Sequence, residues 1–446
     1  SAASDVYKRQ VADRSKLKII CVFLYRIYFG RIPYEGQYRG KKRKAMNITE
    51  LQQSYASHPN VEGVCRLLKD NSVRHLYCGG LYASAASLFS SVLVQRATCP
   101  LVFILGDMEE AGYFYHDLTQ ILGTEQVLFF PSSFRRAIKY GQKDAANEIL
   151  RTEVLSRLQK GEEGLCVVTY PDALAEKVVS RKELGDNTLK LHAGERVDMN
   201  FVTDVLRSYG FEYVDYVYEP GQYAVRGSII DVFSFSSEYP FRIDFFGDEV
   251  ESVRTFEVET QLSKEKKESI VIVPDLSHSL EKKGSGGMVS FLDFLPSDSL
   301  LAMRDFLWLR ERIQTVHDES LTPQAIAARE SEENGAITLE GKLIDGGEFT
   351  LRALDFRRME FGNKPTGTPD ATISFHTTVQ PIFHKNFDMV AESFREYLSR
   401  HYTIYICSDS LKQTDRIRAI FEDRGDNISF TAVERTLHEG FADDTL

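Results

Sequence analysis

The chain has 446 residues, 43% hydrophobic and 27% charged, a globular composition with length enough for two to four domains. Its formal net charge is −11, and residues 1–45 hold twelve Lys and Arg against three Asp and Glu, so the other 401 residues carry −20. A body that acidic repels phosphate and argues against nucleic-acid binding through a broad basic face, while six cysteines without metal-knuckle spacing and ten histidines without an H-E-x-x-H pattern argue against a metal site and fit a reduced, cytoplasmic protein.

Residues 1–45 mix basic and apolar residues without a sustained period. Residues 1–10 resemble the translation of a sequencing adapter, so this leader is expected to be non-native or disordered, with Met46 as the start of the fold. The apolar run 19–25 is broken by Arg26 and is too short to span a membrane. From residue 74 the pattern alternates strand and helix: strands are expected over 75–80, 101–105, 127–130 and 165–169, and helices over 83–94 and 146–158. Asp107 followed by Glu110 reads as a capping box for the helix that carries Ala111, Phe114, Leu118 and Ile121 on one face. Pro171 suits the first turn of another helix. Repeated units of this length predict an α/β fold with a parallel sheet covered on both faces.

Near residue 188 the rhythm changes. One helix (200–209) precedes strands at 212–217, 223–225, 228–233, 241–245 and 249–256, with Pro220-Gly221 and Gly247-Asp248 as turns, which predicts a small inserted α+β domain over 188–273. Residues 262–290 read as a solvated connector, and 315–370 as a polar, weakly periodic stretch. The first domain is therefore expected to be discontinuous, 46–187 and 274–378. A partial third α/β domain, 379–446, is expected to hold helices at 387–398 and 411–423 around a strand at 401–407, and to be truncated.

A motor of this architecture keeps a phosphate loop, G-x-x-x-x-G-K-[ST], after its first strand. Small residues let backbone N–H groups close on phosphate, the lysine neutralises it and the hydroxyl binds Mg²⁺. Here that stretch reads GLYASAAS (80–87). Gly80 and Ser87 are in place, but Ala85 stands where the second glycine belongs and Ala86 where the lysine belongs, giving a degenerate loop. Arg304, in LLAMRD (300–305), stands where a metal-binding carboxylate is expected, and a cation there opposes Mg²⁺.

The segments EPGQYAVRGSIIDVF (219–233), YPFRIDFFGDEVESVRTF (239–256) and ETQ (259–261) resemble, in order, the small domain shared by the excision-nuclease B subunit and the transcription-repair coupling factors. EGFAD (439–443) resembles the third domain of the coupling factors. The degenerate loop, and the short FFPSSFRRAIKY (129–140) in place of a DNA-wedging hairpin, favour the coupling factors; the alternative is a damage-recognition helicase subunit of the excision nuclease. The resemblance implies a UvrB-like, non-catalytic module. Its small domain would bind the excision-nuclease A subunit (UvrA) through Arg226, Arg242 and Phe246. No cofactor is implied for this segment; ATP and Mg²⁺ would belong to a motor elsewhere in the family's full chain, as would contacts to RNA polymerase and double-stranded DNA. No membrane partner is implied.

The pattern supports the same surface independently. In 241–246, alternation puts Phe241, Ile243 and Phe245 on a core face and Arg242, Asp244 and Phe246 on the other. An arginine beside an exposed aromatic is a composition favoured in interface hot spots. The plainer alternative pairs Arg242 with Asp244 on a solvated sheet. Glu219 and Tyr223 are weaker contact candidates.

Overall fold

A computed structural model describes residues 18–23 (backbone only), 45–133, 145–275, 287–322, 341–383 and 386–445. Seven parallel strands form the central sheet. Their order is Ala371–Ser374, His75–Gly79, Arg357–Gly362, Leu300–Met303, Leu101–Ile104, Cys166–Thr169 and Val127–Phe130. Leu101–Ile104, Cys166–Thr169 and Leu300–Met303 are buried at every position, as a sheet covered on both faces requires. Helix Ser84–Arg96 follows strand His75–Gly79 and is buried from Ser84 through Val94, packed against helices Ile48–Ala56 and Met108–Leu122. Its Ser- and Ala-rich sequence is what allows such close approach on all sides.

Asp107 caps helix Met108–Leu122 by accepting the Glu110 N–H at 3.0 Å. The return bond of the expected box lands one residue earlier, since the Glu110 carboxylate accepts the Gly106 N–H at 2.7 Å. Pro171 occupies the first turn of Pro171–Ala175.

The inserted domain is a six-stranded sheet ordered Ser263–Lys267, Glu249–Phe256, Phe241–Phe246, Ile229–Val232, Gln222–Arg226 and Glu212–Tyr213, antiparallel except for its last pair. Helix Met199–Ser208 covers one face, setting Val202 and Leu206 among Tyr223, Ile230, Val232, Ile243 and Val253. A smaller cluster, Val217, Ala224, Phe233 and Phe256, covers part of the other face.

Three expectations are corrected here. Residues 262–290 are not simply a connector: Ser263–Lys267 is an edge strand, Ser269–Ile272 pairs with Leu189–His192, and Met288–Val289 pairs with Val178–Val179. The stretch 315–370 holds the end of helix Phe306–Ser320, helix Gly346–Ala353 and the central strand Arg357–Gly362. The strand expected at 212–217 is limited to Glu212–Tyr213.

A further six-stranded sheet is ordered Met46–Asn47, Thr431–Glu434, Tyr402–Ser408, Lys18–Phe23, Phe441–Asp443 and Thr377–Val379. Lys18–Phe23 runs parallel to Tyr402–Ser408. This corrects the expectation that the whole of 1–45 stands apart from the fold; the apolar run after Lys18 supplies an inner strand. Helices Phe387–Ser399 and Leu411–Asp423 bury Phe394, Ile417 and Phe421 against Ile404 and Ile406. Two fully buried groups of the N-terminal helical region close on this sheet: the Tyr55 hydroxyl donates to Asp443 at 2.9 Å, and the His58 imidazole lies 3.5 Å from the same carboxylate. Among the described residues, no helix is long and apolar enough to cross a membrane.

Gly80 has φ +76, and a Cβ there would lie 2.0 Å from the carbonyl oxygen of Phe375. Neither the conformation nor the space tolerates a side chain. Gly80→Ala is expected to cost more than about 2 kcal/mol, from the overpacking and the strained backbone together, measurable by urea unfolding. A loss under half of that shows that the strand end can shift.

Candidate docking face and candidate phosphate-loop region

The candidate surface is built on three adjacent strands of the inserted sheet. Cross-strand register sets Asp231 opposite Arg242, and Ala224 opposite Asp231. Phe241, Ile243 and Phe245 are buried, Arg242 and Asp244 half-buried, and Phe246 is 78% exposed. The alternation read from sequence therefore holds along the whole strand.

Arg242 does not pair with Asp244. Its Nε and Nη2 reach the two oxygens of Asp231 at 2.7 and 2.9 Å, and its Nη1 donates to the Gln261 carbonyl at 3.1 Å. Arg226 donates to the same Asp231 carboxylate. The Asp231 side chain is completely buried, that of Arg242 14% exposed and that of Arg226 36% exposed. One carboxylate thus holds two guanidinium groups, and the trio keeps one net positive charge. The hydrogen bonds to Asp231 raise the Arg242 pKa further above its already high ordinary value. Asp244 instead takes Arg254 and the Ser252 hydroxyl.

Aromatic rings flank both cations: Arg226 lies 5.0 Å from the Tyr216 ring centre and Arg242 4.6 Å from that of Phe256. Gln261, in a left-handed conformation at φ 58, turns its carbonyl toward Arg242 while its amide donates to the carbonyls of Val217 and Val258. Gly227, at φ +62, makes the tight turn out of the Arg226 strand. Arg226, Arg242 and Phe246 all belong to this side of the sheet, joined by Asp231, Tyr216 and Arg254, which sequence reasoning missed. The alternation that singled out Arg242 was available for Asp231 too, but only the register shows which carboxylate lies across from which cation. Tyr223 is excluded as a contact: it is buried in the core, its hydroxyl accepting from Arg207 at 3.1 Å. Glu219 closes a turn in which its N–H donates to the Gln222 side chain.

At the other candidate region, Ala85, Ala86 and Ser87 form the first turn of helix Ser84–Arg96 and are buried. Ala83 precedes the helix at φ 52 and supplies no side-chain cap. Ser84 and Ser87 both donate to Asp117, at 2.6 and 2.9 Å, and the Ser84 N–H donates to the Glu439 carbonyl at 3.2 Å. Gly80 is held by Thr377, whose hydroxyl donates to its carbonyl at 2.7 Å. Arg304 pairs with Glu110 at 2.8 Å. Of the stretch 129–140, residues 134–140 lie outside the described residues. Before them, Ser132 and Ser133 donate to the buried Glu176 carboxylate.

Residues 189–278 match the family model of the UvrB interaction domain. The chain is 29% identical over 198 residues to the transcription-repair-coupling factor of Escherichia coli, covering 44% of this chain and 17% of that protein. It is 30% identical over 196 residues to that of Bacillus subtilis, covering 44% and 16%, and 22% identical over 416 residues to that of Staphylococcus aureus, covering 81% and 35%. The chain carries a UvrB interaction domain and is homologous to the transcription-repair-coupling factors. It spans about a third or less of the length of these relatives. The matched domain runs from strand Leu189–His192 to just past its partner Ser269–Ile272, so these two strands close the inserted unit at its base.

Two predictions follow from the charges. Burial pushes the Asp117 carboxyl from 3.8 up to about 6, against the opposing hydrogen bonds from Ser84, the His438 N–H and Ser87. Between these values the folded chain keeps a proton that the unfolded chain releases. The stability from this group is complete below pH 3.8 and is lost as pH rises through about 6. The span amounts to on the order of 3 kcal/mol. Asp117→Asn should lack that slope in urea melts taken across the window; a profile parallel to the parent's would refute the assignment.

Arg242→Ala leaves the buried Asp231 with Arg226 as its one remaining cation and should cost about 3 kcal/mol. Phe246→Ala, at an exposed site, should stay within about 0.5 kcal/mol of the parent. Thermal unfolding of both variants checks the contrast, and equal midpoints would mean that Asp231 is held by other groups.

Proposed function

We propose that this chain is a non-catalytic recruiting module of transcription-coupled repair, docking the excision-nuclease A subunit through Arg226, Arg242 and Phe246. The observation that carries this reading is the exposed Phe246 ring on a face where Arg226 and Arg242 are fixed by one buried carboxylate. A large exposed aromatic costs solubility and contributes nothing to a monomer's core, whereas arginines already held in place lose little freedom when a partner arrives. The family match over 189–278 and the coupling-factor relatives agree with this role.

In this reading, RNA polymerase, double-stranded DNA and the ATP-driven motor are engaged by other domains of a longer coupling factor. Ala85 and Ala86 withhold the glycine and the lysine that a motor's nucleotide site requires, so the segment recruits without consuming ATP. The relatives' names support a part in coupling repair to transcription; the A subunit as the direct partner is the proposal.

Phe246→Ala should weaken binding of purified A subunit by about 2 kcal/mol or more in titration calorimetry, with folding unaffected. Arg226→Ala should weaken it comparably. Because Arg242 also holds the fold together, it is tested as Arg242→Lys, which keeps the charge and loses the two-pronged grip. Undiminished affinity in both Phe246→Ala and Arg226→Ala would rule this face out.

A further inference from the structure

We infer that the first turn of helix Ser84–Arg96, together with Asp117, is a peptide-binding socket whose ligand is the chain's own segment 437–440. The contacts are reciprocal. The Ser84 N–H donates to the Glu439 carbonyl at 3.2 Å, and the Glu439 N–H donates back to the Ser84 hydroxyl at 3.0 Å. The His438 N–H donates to Asp117 Oδ1 at 2.6 Å, while Asp117 Oδ2 takes the hydroxyls of Ser84 and Ser87. The His438 ring stacks on Tyr113, with centroids 3.4 Å apart and planes 10° apart. Leu437 is anchored in the main core, and the Gly440 carbonyl accepts the Gln380 N–H at 2.9 Å.

The chemistry of the socket selects its ligand class. A phosphate offers only acceptors and negative charge, and here it would meet the Asp117 carboxylate. A peptide offers two successive N–H donors for Asp117 and Ser84, and a carbonyl for the free N–H of the helix. The positive end of the helix dipole, which holds phosphate in a working loop, here holds a peptide carbonyl. Conversion therefore goes further than the loss of Gly and Lys at positions 85 and 86. An acceptor has been placed where an anion would bind, and a neighbouring segment supplies the matching donors. The helix start that would face a nucleotide's phosphates in a working motor here fastens the last sheet, through the loop before Phe441–Asp443, to the central one.

Amide hydrogen exchange on the whole chain tests this residue by residue. In Asp117→Ala the His438 N–H loses its charged acceptor, and its exchange should quicken by about tenfold or more, as loss of a hydrogen bond to a charged group predicts. In Ser84→Ala the Glu439 N–H should respond more than that of His438. Amides of Leu101–Ile104 and Cys166–Thr169 should keep their parent rates in both. Unchanged exchange at His438 and Glu439 overturns the proposal. So does an equal acceleration of the central strands in the milder Ser84→Ala variant, since the segment would then be part of one indivisible core and not a docked ligand.

Discussion

A helix buried on all sides is the member on which the other parts of this protein depend. Ser84–Arg96 has no exposed residue from Ser84 to Val94, because sheet, flanking helices and the last sheet's strand close on it together. Such a position admits small or apolar side chains and penalises an unpaired charge by several kcal/mol. Ala86 is 2% exposed. A lysine there would have no water and no phosphate to satisfy it. Ala85 and Ala86 thus suit the packing, and the tight junction between the sheets leaves no place at position 86 for a lysine.

The same device recurs through the molecule. Asp231 holds two arginines in the inserted domain, Asp443 receives Tyr55 and faces His58, Asp117 gathers two serines and a backbone amide, and Glu176 takes Ser132, Ser133 and Arg151. Each is a buried carboxylate whose partners come from other strands, helices or loops. Groups of this kind add little net stability over a well-packed apolar core, but they punish any arrangement that leaves them unpaired. In a chain whose described residues form three large sheets and two strand pairs, the cost of a wrong docking geometry falls on these acids.

What the sequence made legible follows from what each signal depends on. Alternation within one strand needs no knowledge of neighbours, so the buried and outward positions of Phe241–Phe246 were legible although the strand was expected to end at 245, and the long strand–helix rhythm gave the parallel sheet. Pairing between strands depends on register, which no single strand carries. Arg242 was therefore offered Asp244, two residues away and on the same face, when its partner is Asp231 on the adjacent strand. Ser263–Lys267 escaped notice because all five of its residues are exposed, leaving no apolar face to betray a strand. Its lysines suit an unpaired sheet edge, where charge discourages further pairing. The polar, glycine-bearing start of helix Gly346–Ala353 hid it in the same way, although Asp345 caps it through the Glu348 N–H. Lys18–Phe23 was set aside because its flanks looked foreign, yet the five apolar residues within it are enough for an inner strand.

The two sites differ in what their buried acid leaves at the surface. At Asp117 every partner comes from within the chain, and the contact is closed; its work is finished once the sheets have met. At Asp231 the carboxylate neutralises one of two guanidinium groups, so the trio keeps a positive charge beside the exposed Phe246. Arg226 keeps 36% of its side chain exposed while its Nη2 is held by Asp231. A partner carboxylate arriving there would meet a cation already desolvated on one side and held by Tyr216 and Asp231, so that the ordering cost of binding has been met during folding. In the proposed role, recruitment by such a face would need no conformational work and no nucleotide, because the arginines it presents are already held in place by Asp231.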